Sequence, residues 1–123
     1  MKGFLLVFVG GGLGSALRYM VGMWLNSSAQ PLPWGTFVVN ILGSLMIGLL
    51  LGYAAKTDSV SPHTVLLLAT GFCGGFTTFS ALAYENLSLL KSGAYGPFIF
   101  YGLGSLFVGI LAVWLGLFLA KAL

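Results

Sequence analysis

The middle of the chain's third apolar stretch reads Gly71-Phe72-Cys73-Gly74-Gly75-Phe76-Thr77-Thr78-Phe79-Ser80. It lies inside about 29 mostly apolar residues, from Pro62 to Leu90, whereas about 20 suffice to cross a bilayer as a helix. Paired glycines followed by two β-branched threonines weaken a helix. We therefore predict a helix break near 74–78, with backbone carbonyl and N–H groups freed inside the membrane. Such backbone persists only where protein or a polar cavity covers it.

The composition of the whole chain indicates a membrane protein. Of its 123 residues, 59% are hydrophobic and 6% are charged, and the mean hydropathy is +1.05. In a soluble domain about a quarter of the residues are charged. Four stretches are long and apolar enough to span a bilayer, at about 3–25, 34–55, 62–90 and 97–120. The sequence therefore predicts an all-α membrane protein with a single domain, residues 1–123, of four transmembrane helices.

Small residues recur at four-residue spacing in every predicted helix. The sets are Gly10 and Gly14; Ser44, Gly48 and Gly52; Gly71 and Gly75; and Ser105 and Gly109. Small residues at this spacing let helix backbones approach closely in lipid. Because four helices enclose little interior, we expect some of these faces to pack against a second subunit.

The five basic residues are scattered singly along the chain: Lys2, Arg18, Lys56, Lys91 and Lys121. They form no patch of the kind that binds phosphates, so we expect no nucleic-acid partner. With four spans, Lys2, Lys56 and Lys121 lie on one side of the membrane. Lys91 lies on the other side, and Arg18 is nearer to that second side. This charge bias is weak. A fixed topology and insertion in two opposite directions both remain open.

Polar side chains inside the predicted spans are candidates for function, because they are costly in lipid. They are Thr36, Asn40 and Ser44 on one face of the second helix; Thr77, Thr78 and Ser80 in the predicted break; and Tyr101 and Ser105 in the fourth helix. Ser44 and Ser105 can bond their own helix backbone, which favours a structural role. The amide of Asn40 needs several partners, which favours a functional one. None of these groups is a strong acid or base, which argues against a proton-coupled pump.

Three further side chains stand out near the break or the helix ends. Arg18 can extend to the interface, or it can cap backbone carbonyls and attract anions, so we expect a vestibule or structural role. Glu85 is expected to be solvated or paired with an arginine. Phe79 directly follows the break, and its ring edge is positive, which together with Asn and Thr donors suits a small anion. Freed carbonyls suit a hard cation such as sodium. These residues predict a pore or carrier for a small ion. They do not identify which ion it carries.

Three motifs resemble those of the Fluc (CrcB) fluoride channels. Residues 71–80 resemble the third-helix signature of that family. The first-helix and second-helix motifs are matched by Gly11-Gly12-Leu13-Gly14-Ser15-Ala16-Leu17-Arg18-Tyr19 and Trp34-Gly35-Thr36-Phe37-Val38-Val39-Asn40. Length, helix count and motif order agree over essentially the whole chain. Two positions depart from the family pattern, which often has a second phenylalanine where this chain has Leu82, and a further serine at Gly109.

The resemblance implies an antiparallel, dual-topology homodimer in a bacterial inner or plasma membrane, with two pores for passive export of toxic cytoplasmic fluoride. It also implies a structural sodium ion, not transported, held by the backbone carbonyls of Gly74 and Thr77 from each chain. The residues that it implies for the fluoride pore are Asn40, Phe79, Tyr101 and Ser105, with Thr78 and Ser80 from the same break.

Three other classes of protein fit the residues less well. A small multidrug antiporter needs a membrane-embedded carboxylate, and the acids here are Asp58 in a loop and Glu85 near a helix end. A non-transporting scaffold subunit would explain the glycine spacing but neither Asn40 nor the break. An enzyme would need a nucleophile and an acid–base set, yet Cys73 has no adjacent histidine and His63 stands alone. We therefore expect no enzymatic activity.

Overall fold

The computed structural model describes residues 1–27 and 29–123, which form helices and no strand. Helix α1 spans Lys2–Leu25 and α2 spans Trp34–Lys56. Helix α3, residues 62–76, is composite: Pro62–Val65 is α-helical, Leu66–Cys73 is a π-helix and Gly74–Phe76 is again α-helical. Helix α4 spans Phe79–Lys91 and α5 spans Tyr95–Lys121. Counting α3 and α4 as one span, four helical stretches can cross a membrane, so the predicted all-α fold is confirmed.

Helices α2 and α5 pack along each other through glycines. A Cβ atom at Gly48 would overlap the carbonyl oxygen of Val113, and one at Gly116 would lie 2.5 Å from the carbonyl oxygen of Leu45. Both neighbours are backbone atoms, which cannot move aside as a flexible side chain can. The close approach of these two helices therefore depends on the absence of side chains.

Helices α1 and α3 are joined in the same way. Cβ atoms at Gly10 and Gly14 would overlap the carbonyl oxygens of Leu67 and Phe72, and one at Gly75 would overlap the carbonyl oxygen of Gly11. These faces are therefore used inside the protomer. The expectation that some of the small-residue faces pack against a second subunit stays a prediction for the other faces.

The break between α3 and α4 is shorter than predicted. Thr77 and Thr78 are extended, with φ/ψ of −89°/159° and −151°/124°, whereas the prediction covered 74–78. Gly74 and Gly75 remain helical because Gly75 packs directly on α1, and such packing overrides the low helix propensity of glycine. The π-helix was not predicted, since its i→i+5 hydrogen bonds leave no mark in the hydrophobic pattern.

Two helix ends show how the sequence sets the boundaries. Helix α5 begins at Tyr95, two residues before the predicted start at Pro97, because a proline in the first turn removes an N–H that has no helical partner. Helix α4 begins after Thr78, whose side chain accepts a hydrogen bond from the Ala81 N–H at 3.2 Å, as an N-cap threonine does.

Large apolar side chains cover the outside of the helices. Trp114 and Phe107 are each 60% exposed, and Phe79 is 80% exposed. Exposing so much apolar surface to water would be unfavourable, whereas lipid solvates it. Together with the four spans, this surface defines a multi-pass membrane protein. At one end, the Lys56 ammonium donates to the carbonyl oxygens of Lys121 at 3.0 Å and Leu123 at 2.8 Å, so α2 and α5 finish together.

Candidate ion pathway at the helix break

The side chain of Asn40 holds the break through both ends of its amide. Its Oδ1 accepts from the Thr78 N–H at 2.8 Å, and its Nδ2 donates to the Thr78 carbonyl at 3.2 Å. The extended backbone of Thr78 offers both groups because it has left the helical hydrogen-bond ladder. One N–H of the Asn40 amide is not needed for this clamp, since a side-chain amide carries two. Asn40 therefore fixes the break and keeps one donor.

Arg18 caps the C-terminal end of α3. Its Nε donates to the carbonyl oxygen of Gly75 at 3.0 Å, and the Ser15 hydroxyl donates to the same oxygen at 3.4 Å. The last carbonyls of a helix lack partners and carry partial negative charge, which a cation stabilises. Of the two alternatives for Arg18, extension to the interface or contact with backbone carbonyls, the hydrogen bond to Gly75 supports the second.

The carbonyl groups of Gly74 and Thr77 lose their helical donors at the break. The N–H of Thr78, which would reach Gly74 in a continuous helix, donates to Asn40 instead. The N–H of Thr77 and its hydroxyl both bond to the Cys73 carbonyl, at 3.0 and 2.9 Å. The N–H of Ala81, which would reach Thr77, bonds to the Thr78 hydroxyl.

These two carbonyls have the chemistry that a sodium ion requires. Hard cations prefer oxygen ligands, backbone carbonyls included. Gly74 is exposed, and with Thr77 it lines a cavity between α2, α4 and α5. The residues present therefore fit a sodium ion. Because two carbonyls fill only part of a coordination shell, the remaining oxygens would have to come from outside this protomer.

A cavity of about 660 Å³ lies between α2, the break, α4 and α5 and is called the main cavity below. Among its lining residues are Asn40, Thr78, Phe79 and Ser105 from the predicted pore set. Leu82 also lines it, so the wall is aliphatic where a second phenylalanine was expected. Ser80 lies beside this group, with its hydroxyl 3.3 Å from that of Thr78.

Tyr101, the remaining residue of the predicted pore set, does not line this cavity. Its hydroxyl donates to Oε1 of Glu85 at 2.9 Å, and the Thr36 hydroxyl donates to Oε2 at 2.9 Å. Tyr101 and Thr36 are buried, with 2% and 6% exposure. Glu85 shares a separate cavity of about 350 Å³ with Thr36 and Arg18. The carboxylate is thus held by two neutral hydroxyls, which the sequence did not predict. Because Glu85 is only half-buried, the expectation of solvation is not contradicted.

Glu85 is the residue that sequence reasoning undervalued. An ionisable group inside a span is by default a functional candidate, and that signal was present. Its partners were not visible, because Thr36 and Tyr101 lie 49 and 16 residues away in the chain.

The two serines behave differently. The Ser44 hydroxyl donates to the Asn40 carbonyl of its own helix at 2.7 Å, as the structural interpretation predicted. The Ser105 hydroxyl is buried and has no partner among the described residues. For Ser105 the expectation of a bond to its own helix is therefore wrong, and its hydroxyl stays available at the cavity wall.

The fold and this site define a four-helix, multi-pass membrane protein with hydrogen-bonding groups gathered at a broken helix. A family model described as CrcB-like protein, Camphor Resistance (CrcB), matches residues 5–117. The chain therefore belongs to the CrcB family, and the resemblance seen in its motifs is confirmed.

Relatives that match nearly the full chain carry the name fluoride-specific ion channel FluC. That of Bacteroides fragilis is 46% identical over 125 residues, covering 98% of both chains. That of Flavobacterium psychrophilum is 46% identical with complete coverage of both chains. That of Thermus thermophilus is 48% identical over 121 residues, or 98% of this chain and 94% of its own. These are names of ion channels, so the expectation that the chain is not an enzyme is confirmed.

Proposed function

We propose that this chain is a passive, fluoride-selective channel that exports fluoride from the cytoplasm and thereby lowers its toxicity. Membership of a family whose relatives are named fluoride-specific ion channels carries this proposal. It is supported by hydrogen-bond donors around the main cavity, which has no lysine, arginine or acid among its lining residues in the described part of the chain. An anion can then be bound by several weak donors and released again.

The hydrogen-bond partners indicate which groups remain free to bind fluoride. Fluoride is small and tightly hydrated, so a pore must replace its water with other donors. The donors left over are the second amide N–H of Asn40, the Ser105 hydroxyl and one hydrogen of the Thr78–Ser80 pair. The exposed ring of Phe79 adds a positive edge beside them. The hydroxyls of Thr77 and Ser44 are used by backbone carbonyls.

The second cavity serves in this proposal as the vestibule. Arg18 supplies positive charge that raises the local concentration of anions. Glu85 opposes it, and its two hydroxyl donors keep that carboxylate turned towards Thr36 and Tyr101. Tyr101 lines neither cavity and acts on the vestibule only through Glu85. An anion that enters the vestibule would compete with Glu85 for the Thr36 hydroxyl.

The assembly that fits these features is an antiparallel, dual-topology homodimer with two pores. The charge bias between the two membrane faces is weak, which permits both orientations. A second copy would close the open side of the main cavity. It would also bring a second pair of Gly74 and Thr77 carbonyls to a shared structural sodium ion, whose positive charge would hold the two breaks together. The membrane would be a bacterial inner or plasma membrane.

Fluoride efflux from liposomes that contain the purified protein tests the proposal. The wild type should release fluoride and retain chloride, and Asn40→Ala should release fluoride at least about tenfold more slowly, because it loses a donor and the clamp on the break. Ser44→Ala is the matched control one turn along α2, and its rate should stay close to wild type.

Two outcomes would contradict the channel. Absence of fluoride release from vesicles that hold folded wild-type protein would favour a scaffold subunit. Release of fluoride only when a proton gradient is imposed, or transport of organic cations, would favour an antiporter that uses Glu85.

A further inference from the structure

Two residues that line the main cavity each carry a buried oxygen atom with no hydrogen-bond partner. Among the described residues these atoms are Oδ1 of Asn86 and Oγ of Ser105. Ser105 is only 8% exposed. Buried polar groups are almost always hydrogen-bonded, to ordered water where protein offers no partner. Two unsatisfied oxygens on residues that line one cavity therefore require a common explanation.

The orientation of the Asn86 amide is set by its own helix. Its Nδ2 donates to the carbonyl oxygen of Leu82 at 3.0 Å, which turns Oδ1 towards α5. There it faces Gly102, where an added Cβ atom would lie 3.3 Å from it. Ser105 follows three residues later on α5, and residues three apart share one face of a helix. Oδ1 of Asn86 therefore faces the side of α5 on which Ser105 lies one turn further on.

The chemistry of these two oxygens selects their ligand. Oδ1 of an amide only accepts hydrogen bonds, so an anion cannot satisfy it. A water molecule can donate one O–H to Oδ1 of Asn86 and the other to Oγ of Ser105. The hydroxyl hydrogen of Ser105 must then point away from the water, towards the cavity.

We propose that Asn86 and Ser105 bind one ordered water molecule that fixes the Ser105 hydroxyl as a donor to the permeating anion. Asn86 is then a positioning residue, which touches the ion only through the water and the serine. The effect on permeation rests on the proposed function, whereas the water site itself does not.

A high-resolution crystal structure of the full-length protein, grown without fluoride, tests the water site. Omitting fluoride matters because fluoride and water scatter X-rays almost equally. We expect a density peak within hydrogen-bond distance of both oxygens in the wild type and its loss in Asn86→Leu. A side chain of a second copy at this position, or an empty site, would overturn the proposal.

A double-mutant cycle tests the positioning role. Asn86→Leu should slow fluoride efflux about tenfold, which corresponds to about 1.4 kcal/mol and to one hydrogen bond. In a Ser105→Ala background the same change should have no further effect, since the hydroxyl that the water orients is gone. Equal effects of Asn86→Leu in both backgrounds would refute the role.

Controls separate this result from failure of the channel itself. Ser88→Ala, on the same helix, removes an exposed hydroxyl bonded to the Tyr84 carbonyl and should leave the rate unchanged. If the wild type does not conduct fluoride, the proposed function fails, and the density peak alone then decides whether the water is bound.

Discussion

At the scale of single residues, the break depends on charged and amide side chains that bind backbone. Arg18 comes from α1 and bonds to the backbone of Gly75, and Asn40 comes from α2 and bonds to the backbone of Thr78. Their partners are only three residues apart. A hydrogen bond to a charged group contributes about 1.5–3 kcal/mol. The capped carbonyl also stands at the negative end of α3.

We expect Arg18→Met to lower the free energy of unfolding by about 2 kcal/mol, because the Gly75 carbonyl keeps only the long bond from Ser15. Thermal unfolding of the purified protein in detergent, followed by circular dichroism, would show a lower midpoint. Ser15→Ala is the matched control and should lower the midpoint less. An unchanged midpoint for Arg18→Met would mean that the cap contributes little.

The sequence predicted individual residues better than their partners. Asn40 was identified because its amide needs several partners inside a span, and Phe79 because it directly follows the predicted break. That Asn40 bonds to both backbone groups of Thr78 could not be predicted, since 38 residues separate them. Tyr101 was predicted for the pore set, but its hydroxyl binds Glu85 because their helices meet side by side. Asn86 gave no signal in the sequence, as an asparagine near a helix end is unremarkable.

At the scale of helices, the fold depends on which glycines face a neighbour. Gly12 and Gly14 lie on the same helix, two residues apart. A Cβ atom at Gly12 would meet nothing within 4 Å, whereas one at Gly14 would overlap the Phe72 carbonyl oxygen and lie 2.8 Å from the Phe76 nitrogen. The two positions therefore form a matched pair.

Gly14→Ala should lower the free energy of unfolding by more than about 2 kcal/mol, because two backbones must separate. Gly12→Ala should be neutral or stabilising by up to about 1 kcal/mol, the gain in helix propensity. Denaturation of both variants in parallel would show opposite shifts. Similar losses in both would indicate that Gly12 is also covered, by lipid or by a second chain.

The boundaries of the helices followed from composition, but their internal geometry did not. Proline positions and apolar lengths predicted the four spans. The π-helical turns of Leu66–Cys73 have no compositional mark, and the helicity of Gly74–Gly75 results from contact with α1. Tertiary packing decided both features.

At the scale of the whole molecule, orientation in the membrane depends on a few charged residues at the helix ends. On one side, Lys56 ends α2 and is followed by the acid Asp58, which contributes little to the positive-inside rule. On the other side, Lys91 ends α4. Neither side is strongly preferred by the positive-inside rule.

We expect a cysteine introduced at exposed Ser59, in a Cys73→Ser background, to be labelled from outside in about half of the molecules in spheroplasts. A membrane-impermeant maleimide applied before and after permeabilisation measures this fraction. Labelling of nearly all or nearly none of the molecules before permeabilisation would establish a single orientation. A charge reversal at Asp58 should then shift the fraction, which tests its origin.

The contact between α1 and α3 also has a genetic consequence. A single-base missense change in a glycine codon always introduces a larger residue, because glycine alone has no Cβ atom. At Gly10, Gly14 and Gly75 that first carbon already overlaps a neighbouring backbone carbonyl. Every single-base missense change at these three codons therefore disrupts the packing of α1 against α3. No conservative single-base substitution exists at these positions.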